Sequence, residues 1–288
     1  MKLRNIIISG LACLVLAGCT QGDEYEQYEP PKPSQSKPSE PENANPSEPG
    51  NTTPSDPGTS TPTEPGTSTP TVAASVFLTG DSTCAPKSES DRPKYGWGEK
   101  FSQFIIESTT VENKAVGGKS TKTYISGGQW DKMLKSVKKD DLVLIQFGHN
   151  DENTTAADNR GTTPQEFYEN LCKMIQDVQA KNAVPVILTP ICRHKFSNGA
   201  PVYTHQTYPE MAKKAANDKS VPVLDIEQLT YEWLNRLGEE TSKLRYMMSV
   251  EGSSDTTHLT ELGATEIAEI VAKAMKASSD TRLSAVVR

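Results

Sequence analysis

The chain has 288 residues, a formal net charge of −7, 34% hydrophobic and 6% aromatic residues, and 12 of its 20 prolines lie between Thr20 and Ala73. That stretch also carries nine acidic residues against Lys32 and Lys37, so most of the negative charge sits there and residues 74–288 are close to neutral. A near-neutral region of this length can hold one ordinary core, and it lacks the basic field that a nucleic-acid partner requires.

Residues 1–18 pair the cations Lys2 and Arg4 with an apolar run from Ile6 to Ala17, too short to span a bilayer comfortably. Leu16-Ala17-Gly18-Cys19 then resembles a bacterial lipobox, which implies a signal peptide and a lipidated Cys19. Asp23, Glu24 and Glu26 resemble the acidic export signal of surface lipoproteins. The expectation is a bacterial cell-envelope lipoprotein in the outer membrane, displayed at its surface and touching the membrane through lipid alone.

Residues 19–73 repeat every eight positions: Pro38-Ser39-Glu40-Pro41, Pro46-Ser47-Glu48-Pro49-Gly50, Pro54-Ser55-Asp56-Pro57-Gly58 and Pro62-Thr63-Glu64-Pro65-Gly66. So little apolar area cannot offset the entropy of ordering, and an extended, disordered tether is expected. At roughly 3 Å per residue its reach is on the order of 100 Å.

From residue 74 onward, short apolar runs alternate with amphipathic stretches. Strands are expected at Val76–Thr79, Val111–Val116, Leu142–Phe147, Val184–Leu188 and Val221–Leu224. Helices are expected at Trp97–Glu107, Gln129–Lys138, Pro164–Lys181, Tyr208–Asp218, Ile226–Leu237 and Glu261–Lys276, with Thr163 and Thr260 as N-caps. Continuous apolar strands alternating with helices indicate an α/β domain, a parallel sheet covered on both faces.

Ligands of such a sheet gather at the carboxyl ends of its strands. Those ends lead into Gly80-Asp81-Ser82-Thr83, Gly117-Gly118, Gly148-His149-Asn150-Asp151 and Thr189 to His194. Only four histidines are available, and His258 has Asp255 three residues before it. A serine hydroxyl becomes nucleophilic when a histidine takes its proton and a carboxylate fixes that histidine's tautomer. Ser82, Asp255 and His258 occur in an order that permits this chemistry. Gly118 and Ser82 can offer backbone N–H groups, and Asn150 a carboxamide N–H, to the oxyanion of a tetrahedral intermediate. Taken singly, each has a bland reading as a cap, a turn or a surface loop residue.

Other signals carry less. Gly117-Gly118-Lys119-Ser120 ends like a phosphate-binding loop, but Asn113 stands where its first glycine belongs, so no nucleotide is expected. A G-x-S-x-G elbow is absent. Cys84, Cys172 and Cys192 show no C-x-x-C spacing, and no metal site is expected; Cys172 and Cys192 could form one disulfide outside the cytoplasm.

The ordered blocks Gly80–Thr83, Tyr95-Gly96-Trp97-Gly98-Glu99, Asn113–Ser120, Phe147–Asp151 and Asp255–Leu259 resemble the SGNH (GDSL-like) hydrolase superfamily, and within it the rhamnogalacturonan acetylesterases. The resemblance covers 74–288 and implies a flavodoxin-like three-layer α/β/α sandwich. It also implies Ser82 as nucleophile, His258 as base, Asp255 as its orienter, and an oxyanion hole of Ser82, Gly118 and Asn150. The implied reaction removes acetyl esters from a pectic polysaccharide through an acetyl-serine, without a cofactor. Thr189-Pro190-Ile191-Cys192-Arg193 is similar to a Thr-Pro-x-x-Arg stretch in bacterial members, and Arg193 is expected to pair with a uronate carboxylate. The alternatives are the same chemistry on acetylated xylan, a cell-wall sugar or a lipid ester, and a glycan-binding module without catalysis.

Overall fold

In the computed structural model, which describes residues 72–288, each of the five apolar runs contributes a strand to one parallel sheet. The expected signal segment, Cys19 and all but the last two residues of the tether lie outside the described residues. The strands are β1 (Ser75–Gly80), β2 (Thr110–Asn113), β3 (Leu142–Gln146), β4 (Val184–Leu188) and, after a small antiparallel hairpin of β5 (Phe196–Ser197) and β6 (Ala200–Pro201), β7 (Val223–Leu224). Their spatial order is β2-β1-β3-β4-β7, which puts β1 between β2 and β3.

Side chains alternate along each strand between two cores. Val76, Leu78, Leu142, Leu144, Val184, Val186 and Leu188 face one; Phe77, Val143, Ile145 and Ile187 face the other. The second core is closed by α1 (Thr121–Ser126), α2 (Gln129–Leu134), α3 (Pro164–Gln179) and α4 (Tyr208–Asp218). The first is closed by α5 (Ile226–Leu237) and, beyond the short α6 (Glu239–Ser242), by α7 (Glu261–Lys276) and α8 (Thr281–Ala285). Helices on both faces of a parallel sheet make the three-layer α/β/α arrangement. Each fully buried Leu, Ile or Val contributes about 1.5–3 kcal/mol to it.

The caps fall where expected. Thr163 Oγ1 accepts from Glu166 N (3.2 Å), Glu166 accepts in return from Thr163 N (2.7 Å), and Pro164 occupies the first turn of α3. Thr260 Oγ1 accepts from Gly263 N at the start of α7.

Three expectations are corrected. The stretch Trp97–Glu107 is two 3₁₀ turns, Trp97–Glu99 and Phe101–Phe104, instead of one helix. Trp97 N donates to Thr83 O, and an added Cβ at Gly96 would lie 2.1 Å from Ala85 O, so this segment is tied to the chain that follows Ser82. It ends where Ile106 N donates to Val286 O. The helix expected at Gln129–Lys138 stops at Leu134. Cys84, Cys172 and Cys192 are all free thiols; Cys172 packs with one core and Cys192 with the other, so the sheet separates them.

Candidate active site

Ser82 follows directly from the end of β1. Its turn is set by Asp81, whose Oδ1 accepts from Thr83 N (2.9 Å) and Thr83 Oγ1 (2.8 Å), while Asp81 O accepts from Ala85 N (2.9 Å). Lys87 Nζ donates to Ser82 O from the other side. Asp81 is fully buried, and burial raises its carboxyl above the ordinary aspartate range despite the Thr83 hydrogen bonds.

The loop before α7 delivers the second group. His258 Nε2 lies 2.9 Å from Ser82 Oγ, and His258 Nδ1 lies 2.7 Å from Asp255 Oδ2. Asp255 Oδ1 accepts from the backbone N–H groups of Thr257 and His258, each at 3.0 Å. Burial pushes the Asp255 carboxyl up, but the two backbone donors and the imidazole outweigh it, and the net direction is below the usual aspartate range. An ionised Asp255 makes Nδ1 the donor of the ring, which leaves Nε2 as an acceptor facing the serine hydroxyl. The loop itself is fastened through the backbone: Tyr95 N donates to Leu259 O, Met247 N to His258 O and His194 N to Thr256 O.

The donors are Ser82 itself and residues in the loops that follow the two strands flanking β1. Gly118, in the loop after β2, has φ +74°, a left-handed conformation that a side chain would strain. Its neighbour Gly117 sits against Ser82, whose Cβ would be 3.7 Å from an added Cβ there. The backbone N–H groups of Ser82 and Gly118 have no partner among the described residues. Asn150, in the loop after β3, donates from Nδ2 to Lys119 O (3.0 Å) and accepts at Oδ1 from Arg160 Nη1 (3.2 Å). The second Nδ2 hydrogen has no partner among the described residues. Serine, histidine, aspartate and three N–H donors therefore converge on one rim, the arrangement that an acyl transfer needs.

Arg193 reaches this rim from the loop after β4. Its Nε donates to Thr257 Oγ1 (3.1 Å), and its Nη1 meets Glu152 Oε1 (2.5 Å) and His205 Nδ1 (3.2 Å). His205 Nε2 donates to Ile191 O (2.9 Å), and Glu152 Oε2 is 3.1 Å from His205 Nδ1. The guanidinium is thus engaged within the chain at two of its three nitrogens. Beneath it, His149 packs edge-on to His205 at 4.4 Å, and burial drives its imidazole well below the ordinary histidine value. Asp151 accepts from Thr121 N and Thr162 Oγ1 and is pushed up to about 7, burial being the main cause.

Glu152, Arg160, Lys87 and His205 were not foreseen as part of this neighbourhood. Glu152 and Arg193 are 41 positions apart, and Asn150 and Arg160 are ten apart across an irregular loop. No periodicity marks such pairs. The available hint was charge: Glu152 and Arg160 lie within the loop that follows the asparagine block.

Residues 78–265 match the GDSL-like lipase/acylhydrolase family. The chain is 33% identical over 211 residues to the rhamnogalacturonan acetylesterase RhgT of Bacillus subtilis (strain 168), covering 70% of this chain and 89% of that one. It is 32% identical over 206 residues to the probable rhamnogalacturonan acetylesterase YesY of the same organism, covering 71% and 94%. The crystal structure of the protein YxiM of Bacillus subtilis superimposes with a TM-score of 0.64 at 25% identity; the match covers 71% of this chain and 56% of that one, a little over half its length.

Proposed function

The chain belongs to the GDSL-like lipase/acylhydrolase family, a group of carboxylic ester hydrolases, and from that premise we propose that it removes O-acetyl groups from rhamnogalacturonan. Ser82 Oγ attacks the acetyl carbonyl while His258 Nε2 takes its proton. Asp255 holds the ring and stabilises the imidazolium. The tetrahedral oxyanion is met by the N–H groups of Ser82, Gly118 and Asn150, donors whose combined effect is of the kind that dominates acyl transfer. Collapse passes the proton from His258 to the departing sugar oxygen as its bond to the acetyl carbon breaks, which frees the sugar hydroxyl and leaves an acetyl-serine. Water then attacks that ester by the same proton route and releases acetate.

The observation that carries this reading is the continuous hydrogen-bonded series Ser82 Oγ, His258, Asp255 at 2.9 and 2.7 Å. The pectic substrate is supported by the similarity to RhgT and YesY. For an acidic backbone, the proposed contact is from Arg193 Nη2 to a uronate carboxylate, since Nε and Nη1 are engaged within the chain. Acetate release from acetylated rhamnogalacturonan and acetylated xylan, measured with the full chain and with Ser82→Ala, tests the proposal. Release from the pectic polymer alone, lost in the variant, is the expected result. Equal release from xylan would overturn the specificity, and release that survives Ser82→Ala would overturn the mechanism.

A further inference from the structure

The oxyanion side of the site contains a second carboxylate-anchored relay. Arg160 Nε donates to Asp158 Oδ1 (2.8 Å), and its Nη2 lies 2.8 Å from Asp158 Oδ2, a two-pronged pairing that fixes the plane of the guanidinium. The remaining nitrogen, Nη1, donates to Asn150 Oδ1 (3.2 Å). The same Nη1 would be 3.6 Å from a Cβ built on Gly118, so the cation stands behind both residues that flank the proposed oxyanion hole. Next to Arg160 in the chain, Gly161 O accepts from Lys122 Nζ (3.2 Å), which pins the segment to α1.

We propose that Arg160 is a positioning residue of the oxyanion hole, acting through the Asn150 carboxamide; the proposal rests on the acyl-transfer reading above. Two bonds define the plane of that carboxamide: Oδ1 faces Arg160 Nη1 and one Nδ2 hydrogen faces Lys119 O. A flipped amide would set its NH2 against the guanidinium, donor against donor, so the arginine fixes which end of Asn150 carries the free N–H. A charge-assisted bond at Oδ1 also draws electron density from the amide nitrogen, which strengthens the N–H that remains to meet the oxyanion. The relay Asp158–Arg160–Asn150 thus prepares the electrophilic side as Asp255–His258–Ser82 prepares the nucleophilic side. Arg160 itself touches neither acyl group nor nucleophile.

The test is kinetic, on p-nitrophenyl acetate, a neutral ester that offers no carboxylate to an arginine. Arg160→Met is expected to lower kcat about tenfold with KM unchanged, a fraction of the roughly 100- to 1000-fold cost of losing an oxyanion donor. In an Asn150→Ala background the same substitution is expected to cost nothing further, because its effect passes through the missing amide. Arg160→Lys, which keeps a charge and a donor, is expected to recover part of the loss. Asp158→Asn, a milder change that leaves Arg160 in place, is expected to give a smaller kcat loss, likewise silent in Asn150→Ala. An undiminished Arg160→Met penalty in the Asn150→Ala background would overturn the proposal while leaving the acyl-transfer reading standing. So would a loss seen only as a higher KM on acidic oligosaccharides. If Asn150→Ala kept full kcat while Ser82→Ala abolished it, the assignment of Asn150 and the role of Arg160 would fall together.

Discussion

Ser82 Oγ and His258 Nε2 lie 2.9 Å apart although 176 positions separate them in the chain. The main chain holds them there. Trp97 N bonds to Thr83 O just after the serine, and Tyr95 N bonds to Leu259 O just after the histidine, so one short segment grips both loops. The contact between the two side chains is then a consequence of the scaffold and not its cause.

Replacing Asp255 by asparagine should for that reason leave the fold intact and remove catalysis. The carboxamide cannot demand a proton on Nδ1 as the carboxylate does, and the ring loses the tautomer that faces Ser82 with an acceptor. We expect kcat on p-nitrophenyl acetate to fall by about 10³–10⁴-fold with little change in KM or in the thermal transition. A loss of less than about tenfold would show that Asp255 does not orient the base.

Arg193 supports two expectations that different assays separate. Replacement by alanine leaves Glu152, only 13% exposed at its side chain, with His205 alone, and should lower stability by about 1–3 kcal/mol. If Nη2 also meets a uronate, KM on acidic oligosaccharides should rise several-fold more than KM on p-nitrophenyl acetate. An unchanged kcat/KM on the acidic substrates would dismiss the uronate contact and leave Arg193 as a brace between Glu152 and Thr257.

Glu227 gives a pH dependence with a definite sign. It is buried in the first turn of α5, its Oε1 has no partner among the described residues, and burial, with Asp225 next, raises its carboxyl to about 8. The unfolded chain gives up this proton near its ordinary value of about 4, whereas the folded chain keeps it up to about 8. The folded state binds the extra proton between these values, so the contribution of Glu227 to stability is full below about pH 4, declines as pH rises through the window, and levels off above it. Asp151 acts in the same direction over a window ending near 7. Glu227→Gln, neutral throughout, should stabilise the protein on the order of 2–4 kcal/mol more at pH 8.5 than at pH 5. An equal change in melting temperature at the two pH values would refute the raised carboxyl.

What the sequence disclosed follows the range of each signal. The strands were legible because runs such as 142–145 are apolar on both faces, and a strand buried on both sides needs nothing else to declare it. Ser82, Gly118 and Asn150 were legible because each follows a strand end in a glycine-containing turn, and His258 because Asp255 stands three residues before it. Helix α1 was not, since Thr121–Ser126 has no apolar period; it is held by the Ser120 cap, by Tyr124 in the core and by Asp151 receiving Thr121 N. Trp97–Glu107 misled because Trp97, Phe101 and Ile105 recur at helical spacing while the backbone answers to Thr83 and Val286. Arg160 and Glu152 act through contacts that only the folded loop creates.

The separation of Cys172 from Cys192 by the sheet bears on how this protein can be handled. Cys84 and Cys192 are buried, and burial raises both thiols, so the thiolate that would attack a disulfide or a reagent does not form at neutral pH. With no cross-link among the described residues, the region 72–288 asks nothing of an oxidising compartment. It should mature equally well in reducing cytosol, keep its activity in dithiothreitol, and present Cys172, half-buried on α3, as the thiol most open to a maleimide label.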